Sequence, residues 1–289
     1  MSDFLDRVEI GKTGLKTGRL GIGSTFDAPT DAIEAAFDRG VNYMYWGSVR
    51  KPDFAKAMVN LSRQHRDELI LTIQSYSKEP ETIEGEVEDA IKESGVDHYD
   101  FLLLGNRMEV PEEAYLEVFE RLRDRGLVRF LSLSSHNRPL IPTFLDAYSK
   151  GECPYELLMF RYNAVHRGAE KDIFPFVSED GPRPFMATYT ATRWGHLLDP
   201  TKMPPDESTP SARDCYRYSL SNPAIDMVIA GPANAAQLDE AISALEAGPL
   251  DAEERERLER IGAYQYAEVS PQYPDAGDAE DVSAGLAAE

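Results

Sequence analysis

The sequence is poor in cysteine, tryptophan and lysine, and it has no long apolar run. Its 289 residues include two cysteines and two tryptophans, and only 9 of its 30 basic residues are lysines. Cys153 and Cys215 are far apart and lack the spacing of a metal site, so we expect two reduced thiols. No stretch approaches the roughly 18 apolar residues of a membrane span. The N-terminus lacks the apolar core of a secretory signal. These absences predict a cytoplasmic protein.

The chain has an excess of negative charge. It carries 51 acidic residues against 30 basic ones, which gives a formal net charge of -21. A surface of this sign repels phosphate backbones and anionic lipids, so neither nucleic acid nor a membrane surface is an expected partner. With 42% hydrophobic residues the chain can still build a large core.

Short apolar runs alternate with longer amphipathic segments along most of the chain. Because the runs are nearly continuous in apolar residues rather than alternating, they indicate strands covered on both faces, and eight strand–helix units predict a (β/α)₈ TIM barrel. The predicted strands are 20–25, 41–45, 69–74, 99–104, 128–134, 156–162, 184–189 and 227–230. The predicted helices are 30–39, 53–62, 82–94, 112–124, 140–148, 211–220 and 235–246, with a poorly helical stretch at 171–177.

The two ends of the chain differ from this pattern. Residues 8–19 are punctuated by glycines and predict an N-terminal β-hairpin that closes the bottom of the barrel. Residues 267–289 are acidic, rich in small residues and aperiodic, so we predict a disordered tail there and a single barrel domain over residues 1–266.

The carboxyl ends of the predicted strands are polar and aromatic. In a barrel of this type these ends carry the chemistry. No Asp or Glu stands at the strand ends themselves, and therefore we predict no metal site.

Six short motifs follow one another along the chain at barrel spacing. In this order they resemble the aldo-keto reductase superfamily over about residues 7–262. The motifs are the hairpin segment 10–23, Gly40-Val-Asn, Gly126-Leu-Val-Arg with Leu133-Ser-Ser, Arg161-Tyr-Asn, the segment 188–195, and Val228-Ile-Ala-Gly with Gln237-Leu-Asp-Glu.

The resemblance implies a carbonyl or alcohol oxidoreductase that uses a nicotinamide cofactor. In that family a Tyr donates the proton, a Lys oriented by an Asp increases its acidity, and a His positions the carbonyl. Here the Asp position is Tyr45, the Tyr position is Arg50, the Lys position is Gln74 and the His position is Gly105. All four positions of the tetrad are replaced, so the chain is an atypical member by resemblance.

The resemblance also implies cofactor-binding residues, and some features expected for NADP are missing. The segment 232–241 contains no Lys or Arg to pair with a 2′-phosphate. We therefore expect weakened or absent NADP binding. The positions that match the family's cofactor site are Gly23, Ser134, Ser135, Tyr189, Gly231, Gln237 and Glu240.

Other residues near the strand ends are candidates for chemistry or binding. Tyr45 is a candidate proton donor or pocket filler, and His136 is a candidate general acid or base or a helix cap. A set of arginines and tryptophans near the predicted mouth suggests a pocket for an anionic, aromatic small molecule. The set is Trp46, Arg50, Arg107, Arg161, Arg193 and Trp194.

These observations leave three functions open. The chain is an atypical oxidoreductase, a non-catalytic binding or regulatory protein, or an enzyme for a redox-neutral reaction that uses His136 or Tyr45 as a base. Because fold does not fix function, the family resemblance does not decide between them. The changed tetrad predicts no NADPH-dependent reduction of ordinary aldehydes.

Overall fold

Eight parallel strands close into a barrel in the computed structural model, which describes residues 4–47, 49–178 and 181–269. Neighbours along the chain pair in order, and the last strand pairs with the first. The barrel strands are β3 (Leu20–Gly23), β4 (Tyr43–Trp46), β5 (Ile70–Ser75), β6 (Tyr99–Leu104), β7 (Val128–Ser134), β8 (Tyr155–Arg161), β9 (Phe185–Tyr189) and β10 (Met227–Ala230). This confirms the predicted barrel, and each predicted strand end lies within two residues of the observed one.

Helices follow the strands and cover the outside of the barrel. In the described part of the chain they are α1 (Thr30–Asp38), α2 (Pro52–His65), α3 (Pro80–Ser94), α4 (Glu113–Asp124), α5 (Ile141–Ser149), α6 (Ala169–Asp172), α7 (Ala212–Leu220), α8 (Ala235–Ala247) and α9 (Ala252–Tyr264). The stretch predicted to be poorly helical contains only the four-residue α6 and a 3₁₀ turn at Phe174–Phe176.

Helix α9 was missing from the sequence prediction. Its apolar signal is weak, because only Leu258, Ile261 and Gly262 are buried along its thirteen residues. Its start does carry a local signal: Asp251 accepts a hydrogen bond from the backbone N–H of Glu254, and Glu254 accepts one from that of Asp251. This capping box at residues 251–254 would have located the helix.

The hairpin at the N-terminus closes one end of the barrel. Strands β1 (Val8–Glu9) and β2 (Lys16–Thr17) pair antiparallel, as predicted. Ile10, in the hairpin turn, is fully buried against Tyr43, Ile70 and Phe101 inside the barrel. The hairpin therefore seals the amino-terminal end and leaves the carboxyl ends of the strands for a site.

A π-helical turn at Gln265–Val269 follows α9. It includes the first three residues of the predicted disordered tail at 267–289, so the predicted boundary at 266 falls inside a helical turn. Residues 270–289 lie outside the described residues. Among residues 4–47, 49–178 and 181–269, no helix combines the length and the apolar character that crossing a membrane requires.

Residues along each barrel strand point alternately into the barrel and towards the helices. In β4, Tyr43 and Tyr45 belong to the interior cluster, whereas Met44 and Trp46 belong to the layer between barrel and helices. The Trp46 ring lies 6.0 Å from that of Phe54 in α2 and is 1% exposed. The prediction that Trp46 lines a ligand pocket is therefore wrong, because the two-residue period of a strand turns it outwards.

Two buried carboxylates fasten strand ends near the bottom of the barrel. Asp226, directly before β10, accepts two hydrogen bonds from Arg183, at 2.5 and 2.7 Å, and a third from the backbone N–H of Met186 at 2.8 Å. Asp100 in β6 accepts from the backbone N–H of Leu71 and from two arginine side chains. Each carboxylate thus ties its strand to a neighbour.

We predict that Asp226→Ala lowers the free energy of unfolding by about 3 kcal/mol, because it leaves the largely buried Arg183 without its carboxylate. Urea unfolding followed by circular dichroism measures this loss. Asp239→Ala is the control, since Asp239 pairs with Arg39 on the exposed surface and such pairs contribute about 0–1 kcal/mol. Equal losses in the two variants would contradict this assignment.

Candidate functional site

One cavity of about 150 Å³ opens at the carboxyl ends of the barrel strands. Its lining combines aromatic rings, hydroxyl groups, two side-chain amides and one imidazole. None of the described residues that line it is Asp, Glu, Lys or Arg. The lining residues are Gly23, Thr25, Phe26, Tyr45, Gln74, Tyr76, Asn106, Ser134, His136, Met159, Tyr189, Thr190, Ala191, Thr192, Trp194, Tyr216, Ile229, Ala230 and Gly231.

The structure brings many of the predicted site residues together at this cavity. They come from six different strands or the segments that follow them, as the barrel topology requires. Those that line it are Gly23, Tyr45, Gln74, Ser134, His136, Tyr189, Trp194 and Gly231.

A hydrogen bond joins the side chains of Tyr45 and Gln74 inside the barrel. The Tyr45 hydroxyl donates to Oε1 of Gln74 from the neighbouring strand. Gln74 stands where the resemblance expects a lysine, and a neutral amide does not favour a phenolate as an ammonium does. Tyr45 is therefore held in place here but is not made more acidic by this partner.

Gly105 leaves space that two larger side chains fill. A Cβ atom built on Gly105 would lie 2.5 Å from Nε2 of Gln74 and 2.7 Å from Cδ1 of Tyr76. A histidine at this position would meet both groups. Tyr76 was not among the predicted site residues, although it follows Gln74 by two residues at the end of β5. It matches none of the family motifs, so no sequence pattern was a reason to select it.

His136 and Tyr189 form a polar pair across the cavity. Nε2 of His136 lies 3.1 Å from the Tyr189 hydroxyl, and the two rings meet edge to face with centroids 5.8 Å apart. His136 follows β7 and Tyr189 ends β9. The pair puts an imidazole, a group able to accept or donate a proton, in direct contact with the cavity.

Ser134 and Asn106 shape the wall between β6 and β7. The Ser134 hydroxyl accepts a hydrogen bond from the backbone N–H of Asn106 at 2.9 Å. Asn106 adopts a left-handed conformation with φ of 49°, which asparagine tolerates better than most residues. The site residues that the sequence analysis missed, besides Tyr76 and Asn106, include Thr25, Phe26 and Tyr216.

The arginines predicted to form an anion site do not line this cavity. Arg50 pairs with Glu93 at 2.9 Å on the outside of the barrel. Arg107 donates to the Tyr115 hydroxyl and to the backbone carbonyl of Ser77. An arginine side chain is long enough to reach a partner away from the mouth. Its position at a strand end therefore does not fix where its guanidinium lies.

The other two arginines lie beside the mouth and are buried. Arg161 has its guanidinium 5.9 Å from the Trp194 ring centroid, and Arg193 donates to Oε1 of Gln265 at 3.2 Å. Both are at most 5% exposed. The expectation of four guanidiniums converging on an anionic ligand therefore loses its geometric basis.

Three of the predicted cofactor residues use their polar groups elsewhere. The Ser135 hydroxyl donates to the backbone carbonyl of Arg107 at 2.6 Å. Oε1 of Gln237 accepts from the backbone N–H of Ala233, and Glu240 accepts from the backbone N–H of Ala212. These side chains stabilise a loop and the starts of two helices, and none of them lines the cavity.

The structure also bears on metals and reactive thiols. In the described ranges, no group of three or more His, Cys, Asp or Glu side chains could hold a metal ion. Cys153 and Cys215 are both free. Burial raises the pKa of Cys153 to about 11 and raises the pKa of Cys215 further. Neither thiol is suited to act as a nucleophile near neutral pH.

Residues 190–202, which we call the mouth loop, form one side of the cavity. Thr190, Arg193 and Trp194 have φ values of 58°, 52° and 51°. Non-glycine residues in this left-handed region cost free energy and occur together mainly at functional sites. Burial and the neighbouring Lys202 and Arg193 lower the pKa of His196 in this loop, so its imidazole is neutral at pH 7.

A closed (β/α)₈ barrel sealed by an N-terminal hairpin is thus the class of structure that carries this site. Solved structures with the same architecture include the aldo-keto reductase AKR11C1 from Bacillus halodurans in its holo and apo forms. The TM-scores are 0.68 and 0.67, the sequence identities are 20% and 21%, and each match covers 88% of this chain and 95% of the other. The chain has the fold of the aldo-keto reductases. No protein-family model and no curated protein sequence matches it.

We predict that Gly105→Ala displaces the Gln74 and Tyr76 side chains and disrupts the Tyr45–Gln74 hydrogen bond. Forcing a methyl group into this space costs about 1–3 kcal/mol of stability. Thermal unfolding measures the loss of stability. The fluorescence of a probe bound in the cavity measures the change in the cavity.

The matched control is Gly85→Ala in α3, where an added Cβ has no heavy atom within 4 Å. There alanine favours the helix and raises stability by about 0.5–1 kcal/mol. A Gly105→Ala variant as stable as Gly85→Ala would contradict the close packing at residue 105.

Proposed function

We propose that the chain binds an uncharged, partly aromatic small molecule in its cavity and does not reduce ordinary aldehydes or ketones. One observation carries this proposal: the described residues that line the cavity include aromatic rings, hydroxyls and amides but no Asp, Glu, Lys or Arg. Such a lining recognises a planar ligand through ring contacts and a few hydrogen bonds.

The missing proton-transfer groups support the second half of the proposal. General acid catalysis at a carbonyl needs a donor whose pKa is matched to the task. Tyr45 is hydrogen-bonded to the neutral Gln74, and Gly105 offers no side chain where the resemblance expects histidine. Nothing at these positions favours the phenolate of Tyr45 or polarises a substrate oxygen.

The residues present do not fit a phosphorylated dinucleotide well. Its phosphates are anionic, whereas the cavity lining and the segment 232–241 contain neither lysine nor arginine. The two structural neighbours are a holo and an apo form of an aldo-keto reductase. For this chain we propose weak or absent NADP binding and no hydride transfer from NADPH.

A second candidate function rests on the His136–Tyr189 pair. Their 3.1 Å contact allows an imidazole to exchange a proton with a phenol beside the cavity. We propose, as the alternative, an atypical oxidoreductase or a redox-neutral enzyme in which this pair moves the proton. In that case His136 is the catalytic group, and the anionic ligand suggested by the arginines is not required.

We predict that the purified protein consumes no NADPH above the blank rate with a panel of small aldehydes and ketones. Absorbance at the nicotinamide band measures this. Steady turnover that Tyr45→Phe abolishes would contradict the proposal, and turnover that His136→Gln abolishes would favour the alternative. Tight NADPH binding would contradict the proposed weak cofactor binding. A Kd near 1 μM, which corresponds to a binding free energy of about −8 kcal/mol, would be such a result.

We also predict that benzamide raises the thermal unfolding temperature, whereas benzoate of the same shape does not. Charge is the main difference between the two probes, and an uncharged site penalises the carboxylate through desolvation. Trp194→Ala should reduce the benzamide effect, because this ring lines the cavity. Stabilisation by benzoate equal to that by benzamide would show that the site accepts anions.

A further inference from the structure

We infer that Gln265, in the π-helical turn after α9, is a positioning residue that holds the mouth loop in the shape that completes the cavity. The importance of that shape for binding rests on the proposed function. The positioning itself stands on contacts between the turn and the loop, and it can be tested without a ligand.

Gln265 uses both ends of its side-chain amide on the mouth loop. Its Oε1 accepts a hydrogen bond from Nη1 of Arg193 at 3.2 Å. Its Nε2 donates to the backbone carbonyl of His196 at 2.9 Å and to that of Lys202 at 3.3 Å. The side chain is fully buried, and Arg193 is 1% exposed. One amide thereby connects three positions of the loop, residues 193, 196 and 202.

The mouth loop depends on such contacts because its own backbone is strained. Its positive φ values at Thr190, Arg193 and Trp194 cost free energy that the surrounding structure must offset. The start of the loop has its own restraint, since the buried Asn163 donates from its side-chain amide to the carbonyl of Thr190 at 2.8 Å. Gln265 supplies the corresponding restraint from residue 193 onwards.

Helix α9 gives Gln265 a fixed position. Leu258 and Ile261 are buried in the core. Gly262 packs so closely on the segment after β8 that a Cβ atom there would lie 1.9 Å from the carbonyl oxygen of Ala164. Gln265 follows this contact by three residues, less than one helical turn. The end of α9 is thus anchored to the barrel, and the amide is held over the loop.

The consequence for the cavity is direct. Thr190, Ala191, Thr192 and Trp194, all in the mouth loop, line it. Loss of the Gln265 side chain removes a buried hydrogen bond from Arg193, the immediate neighbour of Trp194, and two restraints on the backbone carbonyls of residues 196 and 202. We expect the loop to open and the Trp194 ring to leave the cavity wall, while the barrel itself stays folded.

Hydrogen exchange followed by mass spectrometry tests this in the full chain. In Gln265→Ala, amides of residues 190–202 should exchange about 10-fold faster, because several buried hydrogen bonds are lost. Amides of β5, β6 and β7 should exchange as in the unchanged protein. Gln237→Ala is the matched control, since Gln237 is an exposed glutamine whose side chain accepts a hydrogen bond from the backbone N–H of Ala233 just before α8. Unchanged exchange in the loop, or equal acceleration throughout the barrel, would overturn the inference.

A second variant covers the case in which Gln265→Ala does not fold. Gln265→Glu keeps an acceptor for Arg193 but has no donor for the carbonyls of His196 and Lys202. We expect loop exchange between that of the unchanged protein and that of Gln265→Ala. If this variant protects residues 190–202 fully, the two donor contacts do no positioning and the inference fails.

Tryptophan fluorescence provides an independent measurement of the same loop. In a Trp46→Phe background, Trp194 is the single tryptophan, and Gln265→Ala should increase its quenching by acrylamide about twofold. Unchanged quenching would overturn the inference.

Binding of benzamide separates the two proposals. If benzamide fails to bind the unchanged protein, the proposed function fails while the loop result stands. If it binds Gln265→Ala equally well, the loop shape does not matter for binding.

Discussion

The alternation of residues along closed parallel strands is the constraint on which the rest of this structure depends. In β4 it directs Tyr45 into the barrel and Trp46 under α2. The same period in β5 brings Gln74 to the interior beside Tyr45, where the two side chains form a hydrogen bond. Because the hairpin seals the other end of the barrel, inward-pointing side chains at the carboxyl ends of the strands face the cavity. The chemistry of the site is therefore decided by a small set of alternate positions.

At these positions the chain uses neutral groups where the resemblance leads one to expect charged ones. An amide replaces an ammonium at Gln74, a phenol replaces a carboxylate at Tyr45, and the space left by Gly105 is filled by Gln74 and Tyr76. The changes at residues 74 and 105 are mutually consistent, since the Gln74 side chain lies in the space that a side chain at residue 105 would need. A neutral, hydrogen-bonded pair of side chains such as Tyr45 and Gln74 suits recognition of an uncharged molecule better than stabilisation of a developing charge.

The sequence predicted the barrel well because its signals are local and repeated. Largely apolar runs such as 99–104 and 128–134 coincide with β6 and β7, and the motifs gave their order. The sequence pattern did not predict helix α9, because its surface is charged and its buried face is narrow. Tyr45 and Tyr189 line the cavity because strands fix the direction of their side chains, and His136 follows β7 closely enough to reach it. The arginines do not line it, since long side chains reach partners such as Glu93 and Gln265 that no local pattern reveals.

The central proposal is that the cavity binds an uncharged small molecule and binds NADP weakly or not at all. Native mass spectrometry of the protein as purified tests this most directly. The proposal predicts the mass of the free chain, or that of the chain with a small uncharged molecule that is released and identified on denaturation. A bound NADP⁺ or NADPH at near full occupancy would contradict it.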